Sequence, residues 1–400
     1  MEAVVDKSDS VPSRILPIIV FAQFAGTSLW FAGNAVIPDL VELLQLTDAA
    51  VGNVTSAVQF GFIGGTLVFA YLSLADRFSP SLVFLICAIA GSVANMLAIF
   101  STGYVSLLLT RLFTGFFLAG IYPVGMKIAS DWHREGLGRA LGYLVGALVL
   151  GTALPHLIRD LSGDLPWKFI LISTSAIATF GGVLLYWFVP DGPFSSRKGV
   201  FKPAMITNLF KDRNFRSSAF GYFGHMWELY TFWAFVPVIL TLYQTNYGNL
   251  SLSVSLLSFL IIGIGSLGCG IGGLIAIRKS SQFVTKVSLY VSGLFCLMIP
   301  FLFQLSEPVF ISLLLIWGIF VVSDSPQFST LVARSADKNY VATGLTIVNS
   351  IGFATTIISI QLLNILWVQF HSPYVFLALL PGPVFGLISI YRYRDNADQL

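Results

Sequence analysis

The chain has 400 residues, of which 56% are hydrophobic and 10% are charged, and its formal net charge is +3. Soluble domains carry about 25% charged residues, so this composition excludes an ordinary soluble fold, which would lack the charge to cover its surface. The basic residues are scattered over many loops, and this gives no indication of nucleic-acid binding.

Twelve apolar runs follow one another along the chain, each close to the length of about 20 residues that a membrane-spanning helix needs. We number them spans 1 to 12, and they cover residues 14–37, 51–74, 81–100, 104–127, 138–159, 167–189, 216–244, 253–276, 284–304, 309–333, 341–369 and 374–392. Only helices can satisfy every backbone N–H and C=O inside segments this apolar. The sequence therefore predicts an all-α membrane protein with twelve transmembrane helices.

The distribution of Lys and Arg predicts the orientation of these helices. The loops at 38–50, 245–252, 305–308 and 370–373 contain neither residue, whereas the alternate loops are basic. Positive residues mark the cytoplasmic side. Residues 1–13 also lack the basic start, apolar core and cleavage site of a signal peptide. We expect a multi-pass protein of the cell membrane, plasma or inner, with both termini cytoplasmic.

The longest polar break, 190–215, divides the chain into six spans at 14–189 and six spans at 216–392, with a tail at 393–400. We expect a cytoplasmic linker there, with a short helix around Ala204–Leu209. The halves echo each other at a shift of 203 residues, which matches Trp30 with Trp233, Gly65 with Gly268, Gly115 with Gly318, and Pro123 with Pro326. This pattern is typical of transporters built from two pseudo-symmetric six-helix bundles.

Three ionisable residues lie well inside spans: Arg111, Glu228 and Asp324. Such groups are costly in lipid, by about 2.5–3.5 kcal/mol on insertion scales, and usually face an interior, find a partner or mark a pathway. His225 precedes Glu228 by three residues and therefore shares its helix face. Because burial disfavours the charged form of a carboxylate, Glu228 could take up and release a proton.

Other interpretations of these residues stay open at this point. Glu228 and Arg111 could form a fixed ion pair, His225 could donate to a backbone carbonyl, and Asp324 could cap the helix that Pro326 interrupts. His156 and Arg159, near the outer end of span 5, could line a vestibule or simply reach the membrane interface.

The six-plus-six topology, the internal termini and the basic central loop resemble the major facilitator superfamily. Two local motifs add to the resemblance. The loop AYLSLADRFSPS between spans 2 and 3 keeps the Asp76–Arg77 pair of the family pattern, and the equivalent loop GLIAIRK keeps Arg278. The segment TRLFTGFFLAG supplies Arg111 and, four residues on, Gly115. The first motif departs from the family at 72 and 79–81, where Leu, Ser, Pro and Ser replace glycines and basic residues.

The resemblance implies that spans 1, 4, 7 and 10 line a central cavity. The substrate and proton pathway would then comprise Arg111, His225, Glu228 and Asp324, facing Gln23, Trp30 and Asn34 of span 1. It also implies a cytoplasmic gate at Asp76, Arg77 and Arg278, with Lys127 or the start of span 11 as the partner of Asp76.

We therefore expect a secondary active transporter, a proton-coupled symporter, that moves a small solute by alternating access, as a monomer and without cofactor or metal. A drug or metabolite exporter of the same fold is the nearest alternative. A membrane-embedded enzyme would need a larger catalytic or metal-binding set than four histidines and scattered acids offer. A non-transporting sensor would need a signalling domain.

Overall fold

A computed structural model describes residues 11–133, 137–194, 206–337 and 340–394. Within these ranges every regular element is a helix, which confirms the all-α fold class. Eleven of the described segments are long and apolar enough to cross a membrane, and the helix Ile15–Thr27 is a shorter apolar one.

The first half contains spans 1 to 6. Its helices are Ile15–Thr27, Ala32–Ala35 and Ile37–Leu44 (span 1), Ala50–Leu72 (span 2), Leu74–Arg77 (the following loop), Pro80–Leu97 with the 3₁₀ turn Ala98–Phe100 (span 3), Tyr104–Leu118 and Tyr122–Trp132 (span 4), Leu137–Leu161 (span 5), and Lys168–Phe188 (span 6).

The second half contains spans 7 to 12. Its helices are Ile206–Leu209 (the linker), Arg213–Asn246 (span 7), Val254–Gly263 and Gly265–Arg278 (span 8), Ser281–Leu302 (span 9), Glu307–Ser323 and Ser325–Ser335 (span 10), Val341–Phe370 (span 11), and the 3₁₀ helix Pro373–Leu379 followed by Pro381–Ile390 (span 12). Span 7 begins at Arg213 rather than at 216. The described part of the predicted linker helix is Ile206–Leu209, and residues 204–205 lie outside the described ranges, as do 1–10 and 395–400 of the two tails.

Span 1 differs from the single continuous helix that its hydropathy predicts. Its first helix ends at Thr27 and the next begins at Ala32, so the chain is non-helical from Ser28 to Phe31. Irregular backbone is tolerated at membrane depth only where protein or a cavity satisfies its polar groups. The neighbouring spans must therefore supply partners for the carbonyls that this break frees.

Spans 4 and 10 are also interrupted, and at equivalent places. Span 4 breaks before Tyr122, with Pro123 at the start of its second helix, and span 10 breaks at Asp324, before Pro326. The shift of 203 residues relates Ile121 to Asp324. Proline is tolerated in the first turn of a helix but lacks the N–H that would continue the helix before it. The two proline positions therefore explain both breaks.

Glycine contacts show the same symmetry between the halves. A methyl group added at Gly115 of span 4 would clash with the carbonyl oxygen of Val58 in span 2. One added at Gly318 of span 10 would clash with the carbonyl oxygen of Ile261 in span 8. The shift of 203 residues relates both members of the first pair to those of the second. Backbones that approach this closely require glycine, so the two halves repeat one helix-pairing scheme.

The halves meet through an aromatic cluster near the middle of the spans. The ring of Trp30 stacks at 5.5 Å from Tyr230 and at 5.5 Å from Phe353, and it packs at 4.8 Å from Phe62. Phe31 of the first half also contacts the edge of Trp233 in the second. These apolar contacts close the interface between the bundles at this level.

Candidate functional site

A cavity of about 560 Å³ lies between the two halves. We call the end of the bundle opposite to the termini the far end, and the cavity opens there, above the aromatic cluster. Cavities of about 300–1,000 Å³ are the size that small organic ligands occupy. The first-half wall comes from spans 1, 2 and 5, and the second-half wall comes from spans 7, 8 and 11. Spans 1 and 7 therefore line the cavity as the resemblance implies, but within the described residues spans 4 and 10 do not.

The first-half wall carries most of the ionisable groups. Asn34 of span 1 and His156 and Arg159 of span 5 lie on it. The guanidinium of Arg159 donates to the carboxylate of Asp39, which follows Pro38 at the start of the third helix of span 1. Arg159 and His156 therefore line a vestibule, one of the two locations that the sequence allows.

The second-half wall mixes apolar side chains with small hydroxyls. Pro237, Val238 and Leu242 of span 7 lie on it, together with Trp367 of span 11. Ser258 of span 8 adds a hydroxyl, which donates 2.7 Å to the carbonyl of Val254. Both walls of the cavity thus mix polar and apolar side chains, and most of the ionisable groups lie on the first-half wall.

Hydrogen bonds cross between the halves around this far end. Gln361 of span 11 donates to Asn53 Oδ1 at 3.0 Å and to Ser56 Oγ at 2.9 Å, both on span 2. The imidazole of His371 lies 3.1 Å from the carboxylate of Asp48, and both groups line the cavity mouth. Asn364 also donates 3.0 Å to the carbonyl of Ala49. These contacts hold spans 2 and 11 together beside the cavity.

Glu228 lies inside the second bundle rather than in the cavity. Its side chain is buried, and its carboxylate accepts from Trp317 Nε1 at 2.7 Å, Ser292 Oγ at 2.9 Å and Cys296 Sγ at 3.3 Å. These donors belong to spans 9 and 10. A crevice between the bundles does exist, but the acid that we expected to face it points away from it, into its own half.

Arg111 does not pair with Glu228, so the fixed ion pair is not formed. Its guanidinium donates at 2.8 Å to the carbonyl of Leu29 and at 3.2 Å to that of Trp30, and at 2.5 Å to Asn95 Oδ1. Leu29 and Trp30 lie within the break in span 1. Arg111 therefore fills the interior of the first bundle and satisfies the backbone that the break exposes.

His225 and Asp324 form a second buried polar pair in the second bundle. Nδ1 of His225 lies 2.9 Å from Oδ1 of Asp324. Asp324 makes no side-chain cap for the helix that follows it, so that alternative is not realised. His225 pairs with a carboxylate rather than a backbone carbonyl. Both His225 and Glu228 reach span 10, as residues on one helix face should.

The predicted residues of span 1 have separate surroundings. Asn34 lines the cavity, and Trp30 belongs to the aromatic cluster beneath it. Gln23 is fully buried in the first bundle, and its amide oxygen lies against Gly125 of span 4. Of the seven predicted pathway residues, Asn34 alone is on the cavity wall of the described chain.

At the end of the bundle where the termini lie, Lys127 bridges two acids. Its ammonium is 3.1 Å from Asp76 and 3.4 Å from Asp131. Lys127 is one of the two partners expected for Asp76, but it belongs to the same half, so this pair does not join the bundles. Arg77 and Arg278 are exposed.

The ionisable residues that the sequence analysis missed are Asp48 and His371, which line the cavity, and Asp39, which pairs with the cavity residue Arg159. All three lie just outside the apolar runs, where a carboxylate or imidazole is ordinary in a loop. Their only sequence signal was the pairing of charge across loops that are distant in the chain, which a single sequence does not reveal.

Two six-helix halves with interrupted spans and a shared cavity define a multi-pass membrane carrier. The sequence model of the Major Facilitator Superfamily matches residues 19–360. The chain belongs to this superfamily.

Characterised relatives match shorter stretches of the chain. Solute carrier family 22 member 7 of Homo sapiens is 29% identical over 136 residues, 33% of this chain and 23% of that protein. The D-galactonate transporter of an Escherichia coli strain is 28% identical over 32% of this chain and 30% of that protein. The matched stretch thus spans less than a third of either relative.

Solved structures match over nearly the whole length. The nucleoside transporter NupG, solved as a single-residue mutant, has a TM-score of 0.71 at 15% identity and covers 95% of this chain and 98% of its own. The human organic anion transporter MFSD10 has a TM-score of 0.70 at 16% identity and covers 95% and 99%. These likenesses show the fold of this chain.

Proposed function

We propose that this protein is a secondary active transporter that carries a small organic solute through the cavity between its halves by alternating access. The observation that carries the proposal is the composition of the cavity wall. His156 and Asn34 come from one half, and Pro237 and Trp367 come from the other. A solute held there touches both bundles, so a tilt of one half against the other changes its access to either side of the membrane.

We further propose that Glu228 is the proton-coupling group. Its three donors, Trp317, Ser292 and Cys296, are all neutral, and among the described residues no Lys or Arg forms an ion pair with it. An uncompensated buried charge is strongly disfavoured. Protonation removes that charge and changes the hydrogen bonds that the carboxyl group forms with its donors on spans 9 and 10.

Span 7 provides the connection between this carboxylate and the cavity. Glu228 and the cavity residue Pro237 lie on the same helix, about 14 Å apart along its axis at 1.5 Å per residue. A change in the packing of Glu228 would shift or rotate span 7 and with it the second-half wall. His225 and Asp324 are proposed to belong to the same polar interior.

We place the far end outside the cell membrane and the termini in the cytoplasm, because the basic loops lie at the terminal end. Asp76 and Lys127 then lie at the cytoplasmic end, where Asp76, Arg77 and Arg278 are proposed as gate residues. The division into units at 14–189, 190–215 and 216–392, with the first helix of the last unit starting already at Arg213, belongs to the same proposal. So does a monomer that works without cofactor or metal.

The names of the relatives suggest solutes for a first trial. They include a D-galactonate transporter and a nucleoside transporter, and a human organic anion transporter. Labelled D-galactonate, a labelled nucleoside and a labelled aromatic monocarboxylate therefore form the first panel.

The test is uptake into proteoliposomes with an imposed pH gradient. The wild type should accumulate at least one of these solutes above its external concentration. Glu228→Gln should lose accumulation but keep solute exchange without a gradient, since glutamine preserves shape but cannot be charged. The matched control is Glu42→Gln, at an exposed position, which should behave as the wild type. Full accumulation by Glu228→Gln would refute the coupling assignment.

A further inference from the structure

We infer that the second half binds the headgroup of an anionic phospholipid through a cluster of four cations, Arg213, Lys286, Arg392 and Arg394. The cluster lies on the surface of the bundle, at the end where the termini lie, and it is built by spans 7, 9 and 12. It is separate from the cavity between the halves. The inference therefore goes beyond the proposed function and does not depend on the solute or on proton coupling.

Hydrogen bonds between the start of span 7 and the segment after span 12 bring three of the cations together. Asn214 of span 7 donates 2.9 Å to the carbonyl of Arg394 and accepts 3.0 Å from the N–H of the same residue. The guanidinium of Arg213 donates through Nε to the carbonyl of Arg392 at 3.2 Å. Residues that are about 180 positions apart in the chain thus form one fixed surface.

Span 9 adds the fourth cation from the other side of span 12. The ammonium of Lys286 lies 4.5 Å from the centroid of the Tyr391 ring, and that ring is 68% exposed. A cation at this distance is attracted to the face of an aromatic ring. Lysine side chains near the end of a span extend toward the membrane interface, so Lys286 brings its charge to the level of Arg392.

The cluster has no negative partner in the described part of the chain. Arg213, Arg392 and Arg394 are exposed, and no ion pair among the described residues includes any of the four cations. The carboxylate of Asp212, next to Arg213 in the chain, caps span 7 by accepting from the N–H of Phe215 at 2.7 Å. A phosphate diester supplies the missing negative charge, and guanidinium groups bind phosphate oxygens through paired donors.

An exposed apolar stripe on span 12 leads to these cations. Val384, Phe385 and Ile388 are 44%, 46% and 52% exposed, and their spacing places them on one face of the helix with Tyr391. Apolar side chains on the outside of a spanning bundle lie against acyl chains. A phospholipid satisfies both parts of the surface, because its chains follow the stripe and its headgroup reaches the cations. A free phosphate would satisfy the cations alone.

The first half has the same architecture without cations at the equivalent positions. The shift of 203 residues relates Lys286, Arg392 and Arg394, in that order, to Val83, Val189 and Asp191. Positive charge at the cytoplasmic end of a span helps to orient it, but the fold of a half does not require cations at these three places. The cluster is therefore a feature of the second half alone, as a specific lipid site would be.

The test is lipid binding to the purified full chain, measured by native mass spectrometry. The probes are dioleoyl-phosphatidylglycerol, which is anionic, and dioleoyl-phosphatidylcholine, which has the same chains and no net charge. We expect phosphatidylglycerol to bind at least about tenfold more tightly, the factor that about 1.4 kcal/mol corresponds to. Equal affinities would overturn the inference.

A soluble headgroup distinguishes a lipid site from a phosphate site. Glycerol 3-phosphate carries the negative charge but lacks acyl chains, so at a concentration equal to that of phosphatidylglycerol it should not displace the lipid. Displacement under these conditions would show that the cations bind a free phosphate, and it would overturn the assignment to a lipid.

The cluster itself is tested by removing its charges. The triple variant Lys286→Gln/Arg392→Gln/Arg394→Gln should lose the preference for phosphatidylglycerol, since each basic residue near an anionic headgroup contributes about 1 kcal/mol. If the triple variant fails to fold, Arg392→Gln alone is measured and should weaken phosphatidylglycerol binding about fivefold, the factor that corresponds to one such residue. Unchanged binding by the variant that is measured would overturn the inference.

A matched triple variant separates this site from the net charge of the protein. Its substitutions, Arg14→Gln, Arg139→Gln and Arg334→Gln, also remove three exposed cations near the same end of the bundle. This control should bind phosphatidylglycerol as the wild type does. Identical weakening in the two triple variants would show that overall charge governs binding, and no site would then be assigned.

The acids of the C-terminal tail are tested as an internal competitor. Asp395 and Asp398 follow the cluster in the chain and lie outside the described residues. The variant Asp395→Asn/Asp398→Asn should bind phosphatidylglycerol at least as tightly as the wild type, because it removes negative charge from the neighbourhood of the cations. Weaker binding by this variant would contradict attraction between the cluster and an anionic headgroup.

Discussion

Trp317 and Glu228 are joined by a hydrogen bond of 2.7 Å between the indole Nε1 and the carboxylate Oε1, deep inside the second half. The indole also packs at 4.3 Å from Phe232, one turn beyond Glu228 on span 7. Trp317 of span 10 therefore holds span 7 through one polar contact, with Glu228, and one apolar contact, with Phe232.

Replacing Trp317 by Phe should destabilise the protein by about 1–3 kcal/mol, because a buried acceptor loses its donor while much of the ring packing remains. The melting temperature of the purified protein reports the change. In the double variant Trp317→Phe/Glu228→Leu the effects should be less than additive, since each single change removes the same bond. Full additivity would show that the two side chains do not interact.

Arg111→Leu should be among the most disruptive substitutions in the first half. It leaves the carbonyls of Leu29 and Trp30 and the amide oxygen of Asn95 without their donor. A buried acceptor left without a donor is unfavourable by about 1–3 kcal/mol, so the substitution should weaken folding by at least that amount. The yield of monodisperse protein and its melting temperature measure this loss. Arg111→Lys, which keeps the charge but not the forked donors, should recover part of it, and normal stability of Arg111→Leu would contradict the assignment.

Gly115→Ala and Gly318→Ala should have similar effects in the two halves. Each added methyl meets a backbone carbonyl of the neighbouring span, so the helices must separate, at about 1–3 kcal/mol. Gly64→Ala and Gly270→Ala are matched controls in spans 2 and 8, where the added methyl meets nothing within 4 Å. Thermal unfolding of all four variants checks the prediction. Equal melting temperatures for the variants at Gly115 and Gly318 and for the controls at Gly64 and Gly270 would contradict the prediction.

Cross-linking spans 2 and 11 at the far end should stop transport. Gln361 and Asn53 are in hydrogen-bond contact across the halves, so cysteines placed there should react with a short thiol cross-linker. We expect solute exchange to fall to background and to recover when a reducible cross-linker is cleaved. A second pair that does not join the two halves, Ser79 of the first half and Asp191 at the start of the linker, whose side chains also touch, should cross-link without loss of exchange. Undiminished solute exchange by the protein cross-linked at positions 53 and 361 would show that transport needs no movement between the halves at this end.

The number and order of the spans could be predicted from the sequence because hydropathy alone determines them, and the breaks at Pro123 and Pro326 carried a local signal. The break at Ser28–Phe31 contains no proline, and it depends on Arg111, which is distant in the chain. The direction in which Glu228 points could not be predicted either. Aromatic and apolar residues surround it on every face of span 7, so no periodicity separates the cavity side from the bundle interior. The sequence indicated His156 and Arg159 as candidates for lining a vestibule. It could not decide whether they line a vestibule or reach the membrane interface.

The equivalence of Gly115 with Gly318 has a consequence for how the chain can vary. The two halves share the places where backbones touch, whereas the ionisable groups enclosed at their centres differ, a cation in the first and acids in the second. Close contact between main chains leaves almost no freedom to vary, and side chains enclosed by a bundle can diverge as long as each finds local partners. New activities in a protein of this design should therefore arise by exchanging enclosed side chains while the glycine contacts stay untouched.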